Sequence, residues 1–187
     1  MIYNIEKSVY MIFKTTKSDN NLPPLVLYNS AIEKVEEVKY LGHMITSDLL
    51  DNTDIQRQRR AIAVRGNMLA RRFCRCSDSV KAQLFISYCT SVYTVELWAN
   101  FTKAALSDMR VQYNDAWRAM FRLPRYCSAS AMFAEGRAPG WQALLRSRAA
   151  TVRTALYRSA NSLVAAVRDW DQSPLHRRWQ SYHVPIT

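Results

Sequence analysis

Three aliphatic residues, Ile55, Ile62 and Leu69, recur at intervals of seven inside a stretch crowded with arginine. Residues 56–75 hold Arg57, Arg59, Arg60, Arg65, Arg71, Arg72 and Arg75 and no acid. An interval of seven is close to two helical turns, so the three residues share one stripe, with Ala61, Met68 and Phe73 beside it. A helix built this way draws most of its stability from burying its stripe against neighbours. The sequence therefore demands partner helices, and its later parts offer them.

Asp51 or Thr53 can cap the first helix, with Asp54 in its first turn. Ser77 caps a second, whose apolar face is Val80, Leu84, Phe85, Tyr88, Val92 and Val95. Thr102 opens a third containing Leu106, Met109, Tyr113, Trp117, Met120 and Phe121, and Pro124 stops it. A short helix fits residues 128–134. From Pro139 a long one is marked by Trp141, Leu145, Val152, Leu156, Leu163, Val167 and Trp170. The tail after Pro174 reads as loose.

Before residue 51 the pattern is that of strands. Residues 8–13, 25–28 and 35–46 are the candidates, with Gly42 as a bend or bulge in the last. Such a ribbon is too small to stand alone. The expected fold is α+β and mostly α: a small antiparallel β ribbon over residues 1–50, then a bundle of four to five helices. The bundle divides into a basic part, 51–125, and a C-terminal extension, 126–187. No linker separates them and no repeat of solenoid period is present.

Charge narrows the function. The 187 residues carry a formal charge of +11. Residues 1–50 contribute −1, residues 51–125 contribute +7 and residues 126–187 contribute +5. Arginine, a bidentate phosphate ligand, outnumbers lysine 19 to 7. That balance points to a polyanion, nucleic acid first. With only four glycines the chain has no G-x-G-x-x-G and no P-loop motif. No apolar run approaches a membrane span and no signal peptide is visible. Cys74, Cys76, Cys89 and Cys127 fit no zinc spacing, and His43, His176 and His183 are scattered. Reduced thiols in an intracellular protein, cytoplasmic or nuclear, are the expected state.

Candidate contacts follow from helical geometry. At about 100° per residue, Arg57, Arg60, Arg71 and Arg75 fall within about a third of the circumference, Arg59 and Arg72 outside it and Arg65 opposite. Such a face either tracks phosphates or is simply solvated. Gly66 permits close approach of a duplex or of a neighbouring helix. Tyr88, Tyr93, Trp98, Tyr113 and Trp117 suit either base stacking or the core. Arg118, Arg122 and Arg125 make a second basic edge. Asp48, Asp51 and Asp54, spaced by three at a helix start, read as capping and dipole partners rather than metal ligands.

Five segments in order carry a resemblance: YNIEKSVYMIF at 3–13, VEEVKYLGHMITSDL at 35–49, DIQRQRRAIAVRGNMLARRF at 54–73, VKAQLFISYCTSVYTVELW at 80–98 and RVQYNDAWRAMFRLPRYCSASAMF at 110–133. The chain resembles the C-terminal part of reverse transcriptases from non-LTR (LINE-type) retrotransposons. The resemblance implies that residues 3–13 close the palm, with Asn4 and Lys7 at its motif positions. It implies that Lys39, Tyr40, Leu41 and Gly42 belong to a primer-grip strand. The helices from Asp51 become a thumb lying along the template–primer, with Arg57, Arg60, Arg65, Arg71, Arg72 and Arg75 on RNA or an RNA–DNA duplex. The departure is plain, because the family's catalytic aspartates sit in a D-D hairpin and no D-D pair occurs here. Two Mg²⁺ ions work in the intact polymerase; this chain is expected to need no cofactor, to catalyse nothing alone and to lack its palm and fingers partner. Met1 falls just after the position of that site, as in a truncated element or an incomplete gene model. Without the palm, Val9, Met11, Phe13 and Leu41 are expected to lie exposed and to favour self-association. The alternatives are a helical protein-interaction scaffold and a non-functional remnant.

Overall fold

The computed structural model describes Asn4, residues 7–13 and residues 23–183. The fold is α+β and mostly α. Six short strands come first: β1 (Val9–Tyr10), β2 (Val26–Leu27), β3 (Ser30–Ala31), β4 (Glu33–Lys34), β5 (Glu37–Tyr40) and β6 (His43–Thr46). Seven helices follow: α1 (Asn52–Arg72), α2 (Asp78–Cys89), α3 (Lys103–Phe121), α4 (Ala129–Glu135), α5 (Trp141–Arg158), α6 (Ser162–Asp169) and α7 (Pro174–Ser181). A 3₁₀ turn, Val95–Leu97, lies between α2 and α3. No helix among the described residues is long and apolar enough to cross a membrane.

The spine is the pair α1 and α3, which run parallel and in register. At their starts Asn52 Oδ1 accepts from the Thr102 N–H at 3.0 Å. Further along, Arg59 meets Asp108 at 3.1 Å. Near their ends Gly66 faces Ala116 so closely that a Cβ on Gly66 would lie 2.7 Å from the Ala116 Cβ. Each contact joins residues about fifty apart, so the C-terminal ends of both helices also lie together. Gly66 serves the neighbouring helix, the commoner of its two expected uses. Gly66→Val is expected to cost about 1–3 kcal/mol by overpacking, although valine suits a helix better than glycine. Urea denaturation measures it, and an unchanged midpoint would contradict this close approach.

Helix α2 returns antiparallel, where Arg65 Nη1 donates to the carbonyls of Tyr88 at 3.2 Å and Ser91 at 3.3 Å. Phe85 of α2 meets the edges of Tyr113 and Trp117 at ring separations of 5.2 and 4.8 Å. Phe133 of α4 and Trp141 of α5 complete the cluster, and the Tyr113 hydroxyl donates to Pro139 O at 2.8 Å. Buried Trp98, Tyr113 and Trp117 are therefore core residues rather than stacking surfaces; Tyr88 and Tyr93 are exposed. Buried residues from Ile55 to Tyr182 form one cluster, so helices of the basic part and of the C-terminal extension share a core.

Several expectations are corrected. The bundle has more helices than four to five, partly because the long helix after Pro139 is two: the Asn161 side chain accepts from the N–H groups of Leu163 and Val164 and starts α6 afresh. The described part of the tail, residues 174–183, is not loose. Ser173 caps α7, accepting from His176 N, and His176, Trp179 and Tyr182 are buried. The ribbon is not wholly antiparallel: β1 pairs β4 in parallel, Val9 opposite Glu33, while β2–β3 and β5–β6 are antiparallel. Finally, residues 35–46 are not one bent strand. Leu41 at φ 46° and Gly42 at φ 84° make a two-residue hairpin turn of the type that requires positive φ twice.

Candidate nucleic-acid interface

The hairpin β5–β6 is fixed to α1 by one buried carboxylate. Asp54 is fully buried, and its Oδ1 accepts from Arg57 Nε at 2.9 Å, Arg57 Nη2 at 2.6 Å and the Met44 N–H at 3.2 Å. Its Oδ2 accepts from Trp98 Nε1 at 2.8 Å and the Thr94 hydroxyl at 3.1 Å, and lies 3.2 Å from His43 Nδ1. His43 Nε2 stands 3.4 Å from Asp51. Burial pushes the Asp54 carboxyl up, but the donors from His43, Trp98, Arg57 and Met44 outweigh it and hold the group well below the usual carboxylate range. Hydrogen bonds to Asp51 and Asp54 raise His43 to about 9 against the opposing effect of burial, so it is an imidazolium at neutral pH.

The three aspartates therefore do more than cap and complement a dipole. Asp51 occupies the cap position of α1 without a side-chain cap bond; its Oδ2 accepts instead from the N–H groups of Ala99 and Asn100 at 2.8 and 2.9 Å. Asp48 accepts from the Thr46 hydroxyl at 2.6 Å and from Leu50 N–H at 3.0 Å. Among the described residues no group of three His, Cys, Asp or Glu side chains is arranged to hold a metal ion.

The arginines of residues 56–75 separate into two sets. Arg57 is engaged through Nε and Nη2, the latter donating to Gly42 O at 2.7 Å as well as to Asp54. Arg65 holds the end of α2, and Arg59 pairs with α3. Arg60, Arg71, Arg72 and Arg75 are exposed and have no ion pair or hydrogen bond to another described side chain. Arg60 and Arg71 stand directly opposite the buried stripe of Ile55, Ile62 and Leu69, about 20° apart around α1 and about 16 Å apart along it. Val64, Asn67 and Met68 are exposed between them. Arg72 ends α1, and Arg75 follows in the turn to α2. Arg60 also borders a shallow groove of about 420 Å³ with Glu37, Met44, Asn52, Thr53, Gln56 and Arg57.

The other candidates take these places. Lys39, Tyr40, Leu41 and Gly42 form the tip of the β5–β6 hairpin, with Tyr40 and Leu41 exposed. The ring of Tyr93 closes over Gly42, where a Cβ would come within 2.7 Å of it. Asn4 and Lys7 make a local turn before β1: Asn4 Oδ1 accepts from Lys7 N–H and Asn4 O from the Ser8 hydroxyl. The tip touches α1 through Arg57, whereas among the described residues the bonds of Asn4 and Lys7 lie within their own turn. Arg118 is held by Asp115 and Cys127 O, while Arg122 and Arg125 are exposed.

Comparison of the chain with protein-family models, with curated proteins and with solved structures finds no match. The likeness to retrotransposon reverse transcriptases therefore rests on the five sequence segments alone. Sequence reasoning missed the carboxylate junction. Its partners Thr94 and Trp98 lie forty or more residues from Asp54, and the one local signal is Asp54 three residues before Arg57, a spacing that pairs side chains on a helix and that Arg60 lacks.

Proposed function

We propose that this chain holds nucleic acid, RNA or an RNA–DNA duplex, without reading its sequence, as the thumb and adjoining hairpin of a LINE-type reverse transcriptase hold template and primer. The observation that carries this reading is the outer side and C-terminal end of α1, where Arg60, Arg71, Arg72 and, in the turn that follows, Arg75 are exposed and unengaged by other described side chains. An arginine without a protein partner keeps both prongs of its fork for phosphate. Contacts of this kind set register and affinity and carry no base information. Arg57, Arg59 and Arg65 belong to the scaffold that presents this face. The activity proposed is holding, since the chain contains no D-D pair around which nucleotidyl transfer could be organised.

Fluorescence anisotropy with an RNA–DNA duplex tests the reading. Four phosphate contacts give a log–log salt slope of about −3 to −4. Replacing Arg60 and Arg71 together with alanine is expected to reduce that slope by about two and to weaken binding, with unchanged helicity by circular dichroism. Salt-independent binding, or a slope untouched by the double substitution, overturns it. The competing reading, a protein-docking scaffold, is favoured by α6, none of whose residues is buried and on which Leu163 and Val167, followed by Trp170, form an exposed apolar stripe.

A further inference from the structure

The turn between α3 and α4 exposes 91% of Tyr126, the highest value among the exposed large apolar and aromatic side chains of the described residues. The ring is free, yet the backbone beneath it is held firmly. Cys127 N–H donates to Pro124 O at 3.1 Å and Leu123 N–H donates to Arg118 O at 2.9 Å. The Arg118 guanidinium reaches across, Nη2 donating to Cys127 O at 3.0 Å and Nη1 to Asp115 at 3.0 Å. Proline at 124 removes a further backbone freedom. Just before the ring in the chain, the Arg122 and Arg125 side chains are exposed with no partner among the described residues. A ring this exposed adds almost nothing to the fold by burial. Presenting it from a fixed turn lowers the entropy cost of any ligand that stacks on it.

The position of this turn matters as much as its contents. Because α1 and α3 run in register, the end of α3 lies beside the end of α1, and Tyr126, Arg122 and Arg125 share one end of the helix pair with Arg71, Arg72 and Arg75. Charge and an aromatic face together are the combination that binds single strands, the base on the ring and the phosphates on the cations. The geometry points to a stacking site for one unpaired nucleotide at Tyr126, with its flanking phosphates on Arg122 and Arg125, next to the phosphate-tracking side of α1. The inference rests on the proposed nucleic-acid function and adds a single-stranded contact to the duplex one.

The test uses the full chain with two probes, a fluorescent oligouridylate and a blunt RNA–DNA duplex. Tyr126→Ala is expected to weaken oligouridylate binding roughly five- to a hundredfold. Duplex affinity and the melting temperature should stay as they are. Tyr126→Phe, which keeps the stacking face, retains affinity. Replacing Arg122 and Arg125 with alanine lowers the salt slope on the oligouridylate by about one to one and a half. Unchanged oligouridylate affinity in Tyr126→Ala overturns this inference and leaves the duplex reading standing. Equal losses on both probes also overturn it, as does a sedimenting dimer that Tyr126→Ala dissolves, which assigns the ring to protein contact. A wild-type chain that binds neither probe removes the underlying function as well.

Discussion

Asp54→Ala is expected to lower the unfolding free energy by about 3–5 kcal/mol, the cost of breaking a buried ionic cluster from one side. For a chain of this size that is a fall in Tm of roughly 6–20 °C. The reason lies in what the substitution leaves behind. Trp98 Nε1 and the Met44 N–H lose their acceptor, the Thr94 hydroxyl is left with Tyr93 O as its only acceptor, and Arg57 and His43 lose a counter-charge. Asp54→Asn keeps the shape and one acceptor and should cost less. The same cluster imposes a pH profile. His43 sits above its ordinary value of 6.5, so its contribution is complete below pH 6.5 and is lost as pH rises through about 9. Its full size is no more than about 3 kcal/mol. Asp54 is depressed below 3.8, so its contribution is complete above that value and is lost on further acidification. Stability is therefore expected to plateau between about pH 4 and 6.5. Urea unfolding across pH checks this, with a weaker alkaline decline in Asp54→Ala. A wild-type profile flat to pH 10 would sink the assignment of His43 as a charged clamp.

The second large effect is at the other end of the chain. Trp179→Ala is expected to cost about 3–5 kcal/mol if α7 stays docked. It costs less globally, with α7 melted, if the helix releases. Eight residues are too few to hold a helix in isolation, so α7 exists because it is docked. Trp179 is buried and its Nε1 donates to Glu96 O at 2.8 Å. Beside it the Arg178 guanidinium lies 4.1 Å over the Phe101 ring and donates to Ala99 O at 3.3 Å. Hydrogen exchange distinguishes the outcomes, since release removes protection from α7 while the amides of α1 and α3 keep theirs. Full protection in α7 with an unchanged midpoint would contradict the role given to Trp179.

These two residues also mark how far the sequence could be read. The stripe of Ile55, Ile62 and Leu69 is buried as its spacing requires, and Thr102 caps α3 with its side chain, accepting from Ala105 N–H at 3.2 Å. Both signals are local, and a helix declares itself locally. Helix α7 carries local signals too, Ser173 before Pro174 and apolar or aromatic residues at 176, 179 and 182, but its existence depends on a docking surface at residues 95–101 that no local pattern reveals. The arginines show the same limit. Arg57 and Arg60 lie one turn apart with the same chemistry; Asp54 three residues before Arg57 is a local pairing signal, but only the fold brings Gly42 O to the same guanidinium while Arg60 faces outward.

The register of α1 with α3 has a consequence for how the molecule meets a ligand. Both helices start at the end where the hairpin and its acids gather, Glu37, Asp48 and Asp51 among them, and both finish where Arg71, Arg72, Arg75, Arg122 and Arg125 gather. Lys39, the His43 imidazolium and Arg60 offset those acids at the starting end, so the unbalanced side-chain charge lies at the finishing end, opposite in sign to the two aligned helix dipoles there. In the field of a polyanion such a body experiences a torque as well as an attraction. For the nucleic-acid partner proposed, the arginine end is expected to turn forward before contact, with an encounter rate that falls as added salt erases the long-range field.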